Sequence, residues 1–398
     1  MSNTYLNADG MNCCGCSACA DICPKNAISI IPDDNGFSVP SIDESLCVDC
    51  KMCQKVCQYI NPVDLSKPIE SYAAACSNSN AIMTSASGGV FYAIAEQVLK
   101  QGGAVAGCAY DKRKDKLTVK HILIQDGTEL SRLQGSKYVQ SDTVGIYKEI
   151  KKIADTNRTV LFTGTPCQVA ACRKYLGNRY DNVFYIDIIC HGVPSLSMFN
   201  KYISYQEKKQ NIKIDKLIFR DKSKGWDLKG SLLYRKNGQT YSKTFKTGGC
   251  SYYALFLQSK TYRDSCYECK YAKQERCSDL TIGDYWGIDS QHPEYLMQNG
   301  GTLDKNKGIS CILVNSKKGK ELLERFGNGL EMLTSTFEKV AKSNTQLREP
   351  SKKGAGREEV LNILNTKGYE EVEKWYYDKM GIKKYIYKAY NCLPAKKI

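Results

Sequence analysis

Two runs of four cysteines near the N-terminus constrain this chain more than any other feature. Cys13, Cys16, Cys19 and Cys23 are spaced C-x2-C-x2-C-x3-C, and Pro24 follows. Cys47, Cys50, Cys53 and Cys57 repeat the spacing without the proline. Each run offers three thiols on a tight turn and a fourth on the next helical turn. Between them, A-I-S-I-I-P-D-D-N-G-F-S-V-P holds two short apolar stretches about Asn35-Gly36, a hairpin signal. The two runs are therefore an internal repeat. It ends near Asn61-Pro62, and the segment to Pro68 reads as a linker.

This cadence is the one that ligates [4Fe–4S] clusters, with the fourth cysteine of each run binding the other run's cluster, as in two-cluster ferredoxins. The reading assigns Cys13, Cys16, Cys19 and Cys57 to cluster 1. It assigns Cys47, Cys50, Cys53 and Cys23 to cluster 2. Zinc knuckles use paired C-x2-4-C with four ligands in all, and need no eight cysteines in this order. Cys14 breaks no spacing and reads as a small buried residue.

The chain's 398 residues allow two or three domains. Its 20 cysteines are too sparse for a disulfide scaffold. Met1 to Gly10 is polar, with no apolar signal-peptide core, and no run approaches the length of a membrane span. Reduced, metal-ligating thiols in such a chain predict a cytoplasmic location. The formal charge is +15. Three clusters of roughly −2 each would bring it to about +9. The remaining positive field suits an acidic electron-transfer protein or an anionic substrate. No zinc-finger or RNA-binding signature is present, which argues against nucleic acid.

After the linker the period changes. Strands are predicted at Ser71–Cys76, Ala104–Ala109, Leu117–Ile124, Thr159–Thr163, Val183–Ile189 and Ile309–Val314. Helices are predicted after Ser87-Gly88-Gly89, over Thr143–Ala154, from Gln168 to Tyr175 and over Lys318–Phe326. Leu232–Tyr234 and Thr240–Phe245 flank Asn237-Gly238, a second hairpin. Beyond Leu330 the chain is charged and expected to be helical. This alternation predicts an α/β layer with partly parallel strands. Ligands in such sheets sit at the carboxyl ends of strands, where Cys167 and Cys190-His191 fall.

Cys266-x-x-Cys269, with Cys277 further on, is a second metal-ligand grouping. Cys167 and Cys190 can complete a four-thiolate site with it, while one or two of these five can equally be ordinary buried cysteines. Ser87, Gly88 and Gly89 open a helix and suit a phosphate, or are a plain cap. Gly164, Thr165 and Pro166 offer a similar strand-end turn. Lys137 and Tyr138 offer a cation and an aromatic for a ring system, or a solvated turn. His191 can donate a proton to a reduced ring or substrate, or is structural. His121 reads as a surface strand residue and His292 as a solvated loop residue. Ile382, Tyr385, Ile386 and Ala389, interleaved with Lys383, Lys384 and Lys388, form a stripe that packs on its own domain or docks elsewhere.

Taken together, Ser87-Gly88-Gly89, Gly135-Ser136-Lys137-Tyr138, Gly164-Thr165-Pro166-Cys167-Gln168, Cys190-His191-Gly192-Val193-Pro194-Ser195 and Asp279-Leu280-Thr281-Ile282-Gly283-Asp284-Tyr285-Trp286-Gly287 resemble the beta-subunit family of coenzyme F-420 hydrogenases and dehydrogenases. Here that family's domain follows a two-cluster ferredoxin module. The resemblance covers roughly residues 10 to 330 and implies FAD beside an iron–sulfur cluster. It favours Cys167, Cys190, Cys266 and Cys269 for a third cluster, with Cys277 as substitute ligand. It implies FAD contacts from Ser87, Gly88, Gly89, Lys137, Tyr138, Gly164, Thr165 and Pro166; His191, by its place after the strand, is the candidate catalytic residue.

The expected fold class is thus α+β / α/β: an N-terminal ferredoxin-like module over 1–65, a mixed-sheet FAD-binding α/β domain over 66–330 and a mainly helical basic extension over 331–398. The expected function is an iron–sulfur flavoprotein oxidoreductase. It would take electrons from ferredoxin or a similar low-potential donor and pass them through [4Fe–4S] clusters and FAD to a small organic substrate, in polysaccharide or cofactor metabolism. The alternatives are an electron-transfer subunit of a larger deazaflavin-using complex and a non-catalytic redox sensor.

Overall fold

The structure is a computed structural model and describes residues 13–113, 116–391 and 395–397. The cysteine repeat folds as two short helices, α1 (Ala18–Ile22) and α2 (Met52–Val56), and a hairpin of β1 (Ile28–Pro32) and β2 (Ser38–Ile42). Ile28 pairs with Ile42 and Pro32 with Ser38, so Asn35-Gly36 turns the hairpin as its sequence predicts.

The next strands are β3 (Glu70–Cys76), β4 (Ala104–Arg113), β5 (Lys116–Ile124), β6 (Val160–Gly164) and β7 (Val183–Ile188). Then come β8 (Lys213–Ile218), β9 (Lys229–Lys236), β10 (Gln239–Lys246), β11 (Leu280–Asp284), β12 (Ser310–Val314) and β13 (Leu330–Ser335). One mixed sheet has the order β13-β3-β12-β11-β7-β6-β4-β5. Its centre, β11-β7-β6-β4, is parallel, and its flanks are antiparallel. Parallel strands must be covered on both faces, and β6 and β7 read accordingly as apolar runs. On one face Ile94 and Val98 of the helix Val90–Lys100 meet Leu322 and Phe326 of the helix Lys317–Phe326. On the other, Ile150 and Val169 belong to the helices Ile146–Ala154 and Pro166–Leu176. Fully burying each such side chain is worth about 1.5–3 kcal/mol.

A second, antiparallel sheet contains β10-β9-β8 and a two-residue strand, Lys396–Lys397. Its core includes the helices Leu196–Gln210, Ser251–Leu257 and Tyr369–Met380. The helix Leu196–Gln210 was not foreseen, because Tyr, Lys and Gln crowd its apolar period. The expected boundary at residue 330 cuts across the main sheet: β13 pairs with β3 from Leu330↔Cys76 to Ser335↔Ser71. The strand was missed because its six residues, L-E-M-L-T-S, alternate weakly. Beyond it the chain is mainly helical, as expected.

The cysteine repeat is seated on the helices that cover β6 and β4. Ala18 and Val56 join Val169, Ala170 and Cys277 in one core. The Asp21 carboxylate accepts the Gly145 amide at 2.7 Å and the Tyr147 amide at 3.3 Å, satisfying free donors at the start of Ile146–Ala154. Thr143 and Tyr147 hydroxyls both donate to the Cys16 carbonyl at 2.8 Å. Among the described residues no helix is long and apolar enough to cross a membrane.

At the C-terminus Ile382, Tyr385 and Ile386 are exposed, against the packing alternative for this stripe. The side chains of Lys388 and Ala389 lie outside those described.

Candidate metal centre

The two cysteine runs have matching backbones. Gly15 and Ser17 in the first, and Asp49 and Lys51 in the second, all have positive φ, between 49° and 64°. The helices end alike, with Cys23 at φ −69°, ψ 115° and Cys57 at φ −71°, ψ 116°. This left-handed turn sets two thiols of each run ahead of the helix and the third, Cys19 or Cys53, in its first turn. Cys23 joins Cys47, Cys50 and Cys53 around one cavity of about 80 Å³. Burial and the neighbouring Cys13 and Cys57 thiols raise the Cys19 pKa. Cys23 thus lies with three thiols of the second run, and Cys57 lies near Cys19 of the first.

Gly15 is glycine for a spatial reason as well as for its φ. A Cβ there would stand 2.4 Å from Gln140 Nε2 and 2.6 Å from the Ser38 carbonyl oxygen.

The second grouping is assembled from three distant segments. Cys167 lies in the first turn of Pro166–Leu176, just past β6, and Cys190 lies just past the adjacent β7. Cys266 sits in the short helix Asp264–Tyr267, and Cys269 follows it. All four, the candidates for a third cluster, line one cavity of about 40 Å³ (the third cavity), together with Cys14. Burial pushes Cys266 up to about 12, and Cys269 up to about 11, with Cys167 adding to both. Thiolates are therefore unfavourable there unless a cation or a metal compensates. Two guanidiniums, Arg263 and Arg276, line the same space. Four converging sulfurs with cations behind them fit an anionic iron–sulfur group. Among the described residues no three His, Cys, Asp or Glu side chains converge tightly enough for a lone metal ion. Cys277 is elsewhere: fully buried beneath Pro166, its thiol donates to that carbonyl at 3.3 Å.

A sequence model of one family, the C terminus of the beta subunit of coenzyme F420 hydrogenase/dehydrogenase, matches residues 157–339. Another, "4Fe-4S dicluster domain", matches residues 12–60. Residues 157–339 are a C-terminal domain of the F420 hydrogenase/dehydrogenase beta-subunit family. The chain is also similar to a chain of the F420-reducing [NiFe] hydrogenase complex from Methanosarcina barkeri, at 16% identity and TM-score 0.45, covering 80% of this chain and 95% of that one. No curated protein matches in sequence.

Within and beside this beta-subunit domain, the residues expected to contact FAD are engaged by the fold. Lys137 Nζ donates to the carbonyls of Cys108, Arg132, Leu133 and Gln134 at 2.8–3.2 Å, and burial lowers its pKa to about 8. Its charge thus closes the turn after Gly127–Arg132 and lies 6.0 Å from the centre of the Tyr110 ring. Tyr138 stacks on Phe256, with ring centres 4.4 Å apart. The Gly88 amide donates to Ser310 Oγ at 2.9 Å, and a Cβ on Gly88 would meet the Ala74 carbonyl oxygen at 2.4 Å. Ser87 Oγ donates to the Ile309 carbonyl, and Gly89 caps Val90–Lys100. Gly164 leaves room for Gln168, while Thr165 and Pro166 open the next helix in a capping box with Gln168.

Two histidines differ from expectation. His121 is buried, not superficial. Its Nε2 lies 3.0 Å from the Thr163 carbonyl oxygen and its Nδ1 2.9 Å from Ser141 Oγ. Burial lowers its pKa to about 4. Alternation in β5 points it inward, which its mixed strand disguised. His292 is also buried, stacked 4.3 Å from Tyr295 and held by Ser335. His191 reaches solvent at the rim of the third cavity. Crowding lowers its pKa, and Asp284 opposes that.

Sequence reasoning missed three residues of this centre. Cys14 is among the thiols lining the third cavity. The buried Gln58 amide donates to Cys14 Sγ at 3.1 Å and to the Cys167 carbonyl at 3.2 Å, so it ties the two halves together. Arg263, three residues before Cys266, carries no motif.

Proposed function

We infer that the chain is an iron–sulfur flavoprotein oxidoreductase that takes electrons from ferredoxin or a similar low-potential donor and delivers them to a small organic substrate. The observation that carries this reading is the convergence of Cys167, Cys190, Cys266 and Cys269 on one cavity beside Cys14, itself next to Cys13 of the first set. Clusters held by Cys13/16/19/57, by Cys47/50/53/23 and by these four cysteines would supply one-electron carriers. The protein's part is to hold three thiol sets in one rigid body and to keep water from the inner two. Cys47 and Cys50 are exposed, so the donor would meet the second set.

For the flavin, the supporting feature lies just past the ends of β8 and β11. Arg220 pairs with Asp284 and lies over Trp226 and Trp286, which stack 4.8 Å apart. Nearby, the buried Tyr253 hydroxyl and Trp226 Nε1 have no hydrogen-bond partner among the described residues. Aromatic faces with orphaned donors fit a ring system with polar edges. Bound FAD would supply the change from one-electron to two-electron chemistry. His191, solvent-accessible and near Asp284, is the candidate proton donor to the substrate.

Anaerobic purification with iron, sulfide and flavin quantified tests the reading. About twelve irons and one FAD per chain are expected, with the flavin reduced by ferredoxin. Absence of flavin would remove the flavoprotein reading and leave an electron-transfer subunit that works with a catalytic partner. The domain limits 1–65, 66–330 and 331–398 are proposed with one change: β13 belongs with the central domain.

A further inference from the structure

Arg263 is 4% exposed and lines the third cavity. Its guanidinium donates only to neutral acceptors: the Cys13 carbonyl at 3.1 Å, the Ser38 carbonyl at 2.8 Å and the Gln140 side-chain carbonyl at 2.7 Å. Its Nε–H has no hydrogen-bond partner among the described residues. The three other deeply buried arginines all meet carboxylates: Arg220 with Asp284, Arg276 with Asp187, and Arg357 with Asp264 and Glu358. Arg263 has no such ion pair among the described residues. A buried cation without a counter-charge is strongly unfavourable. The Phe37 ring, 5.0 Å away, offsets only a small part of that.

The groups within reach that can take up negative charge, once they hold a cluster, are cysteine sulfurs. Arg263 is bonded to the backbone of Cys13, and its charge bears on the sulfurs of Cys13, Cys167 and Cys266. Resting on the three-cluster reading, we propose that Arg263 is the shared counter-charge of the first and third clusters, a positioning residue that sets both reduction potentials. Each four-thiolate cluster is anionic and gains a further negative charge on reduction. A fixed cation in a low-dielectric pocket stabilises the reduced form more than the oxidised form, so it raises the potential. The second cluster's cysteines lie on another cavity, which Arg263 does not line, and its potential is left alone. The same side chain ties β2, through Ser38, to the beta-subunit domain, so seating of the N-terminal module and electron affinity depend on one group.

Potentiometric titration of R263M, R263K and Q140E, followed by electron paramagnetic resonance with iron counted, tests this. R263M is expected to keep about twelve irons. Its first and third clusters should show at least a tenfold lower reduced-to-oxidised ratio at fixed potential, about 59 mV for a one-electron couple. The second cluster should not move, and R263K should recover most of the change. Q140E places a carboxylate on the same Nη2 without removing the arginine. It should lower the same two potentials, so the test survives if R263M does not fold. Unchanged first and third potentials, with about twelve irons present, overturn the counter-charge role and leave the three-cluster reading standing. About eight irons in the wild-type chain overturn both.

Discussion

The Thr165 hydroxyl oxygen lies 3.2 Å from the Cys167 sulfur. The same side chain caps the helix Pro166–Leu176, and its other partner, Gln168 Oε1, is 3.1 Å away. With a thiolate at Cys167 the hydroxyl proton turns to sulfur. Thr165→Val should therefore do two things. It should lose about 1 kcal/mol of stability in urea unfolding, the usual worth of such a cap. It should also lower the midpoint potential of the third cluster, because a hydrogen bond to sulfur stabilises the added electron. Thr165→Ser should restore both. A potential unchanged in the valine variant would place the proton on Gln168.

On the proposed function, Cys190→Ser should lower iron from about twelve to about eight per chain and abolish reduction of the proposed flavin by ferredoxin. Cys277→Ser should keep its iron, since that thiol lies outside the cavity and donates to the Pro166 carbonyl. Full iron in the first variant, or loss of four in the second, would reverse the ligand assignment.

His121 makes stability depend on pH. Its folded pKa, about 4, lies below the unfolded value near 6.5, so the unfolded chain binds the proton more readily. The contribution is complete above pH 6.5 and is lost as pH falls toward 4, by about 3 kcal/mol in all. Urea unfolding from pH 7 to 4 should show the decline, and His121→Asn should remove that part of it. A wild-type curve as flat as the variant's would refute the assignment.

Arg276 and Asp187 form a fully buried ion pair at 3.0 Å. Asp187→Ala leaves the guanidinium uncompensated and should destabilise by about 3–5 kcal/mol in equilibrium unfolding. The double variant with Arg276→Met should recover much of that. A single variant within 1 kcal/mol (about the size of an ordinary surface change) would mean that Arg276 finds another anion.

The N-terminal thiol sets were legible because their spacing acts locally: Cys13 to Cys23 and Cys47 to Cys57 are close in the chain, and one left-handed turn shapes each run. Both hairpins, and β6 and β7 to within a residue, were legible for the same local reason. That Lys137 is held by three carbonyls of its own turn and by the Cys108 carbonyl of β4 was not legible, because the strand contact depends on packing. His121 was misread because a strand's inward face is set by its neighbours, here Phe162 and Ser141.

The sequence by itself determined that this chain carries eight cysteines in ligand cadence, and that Cys167 and Cys190 stand at strand ends. Short-range backbone geometry is enough to decide both. Only the tertiary structure decided that those two thiols meet Cys266 and Cys269 in one cavity, that Cys277 does not, and that Arg263 lies beside Cys13 with no carboxylate partner among the described residues. Convergence of that kind depends on the order of parallel strands and on which surfaces are buried, and no residue spacing encodes either. A buried charge becomes visible as a problem only once its surroundings are known.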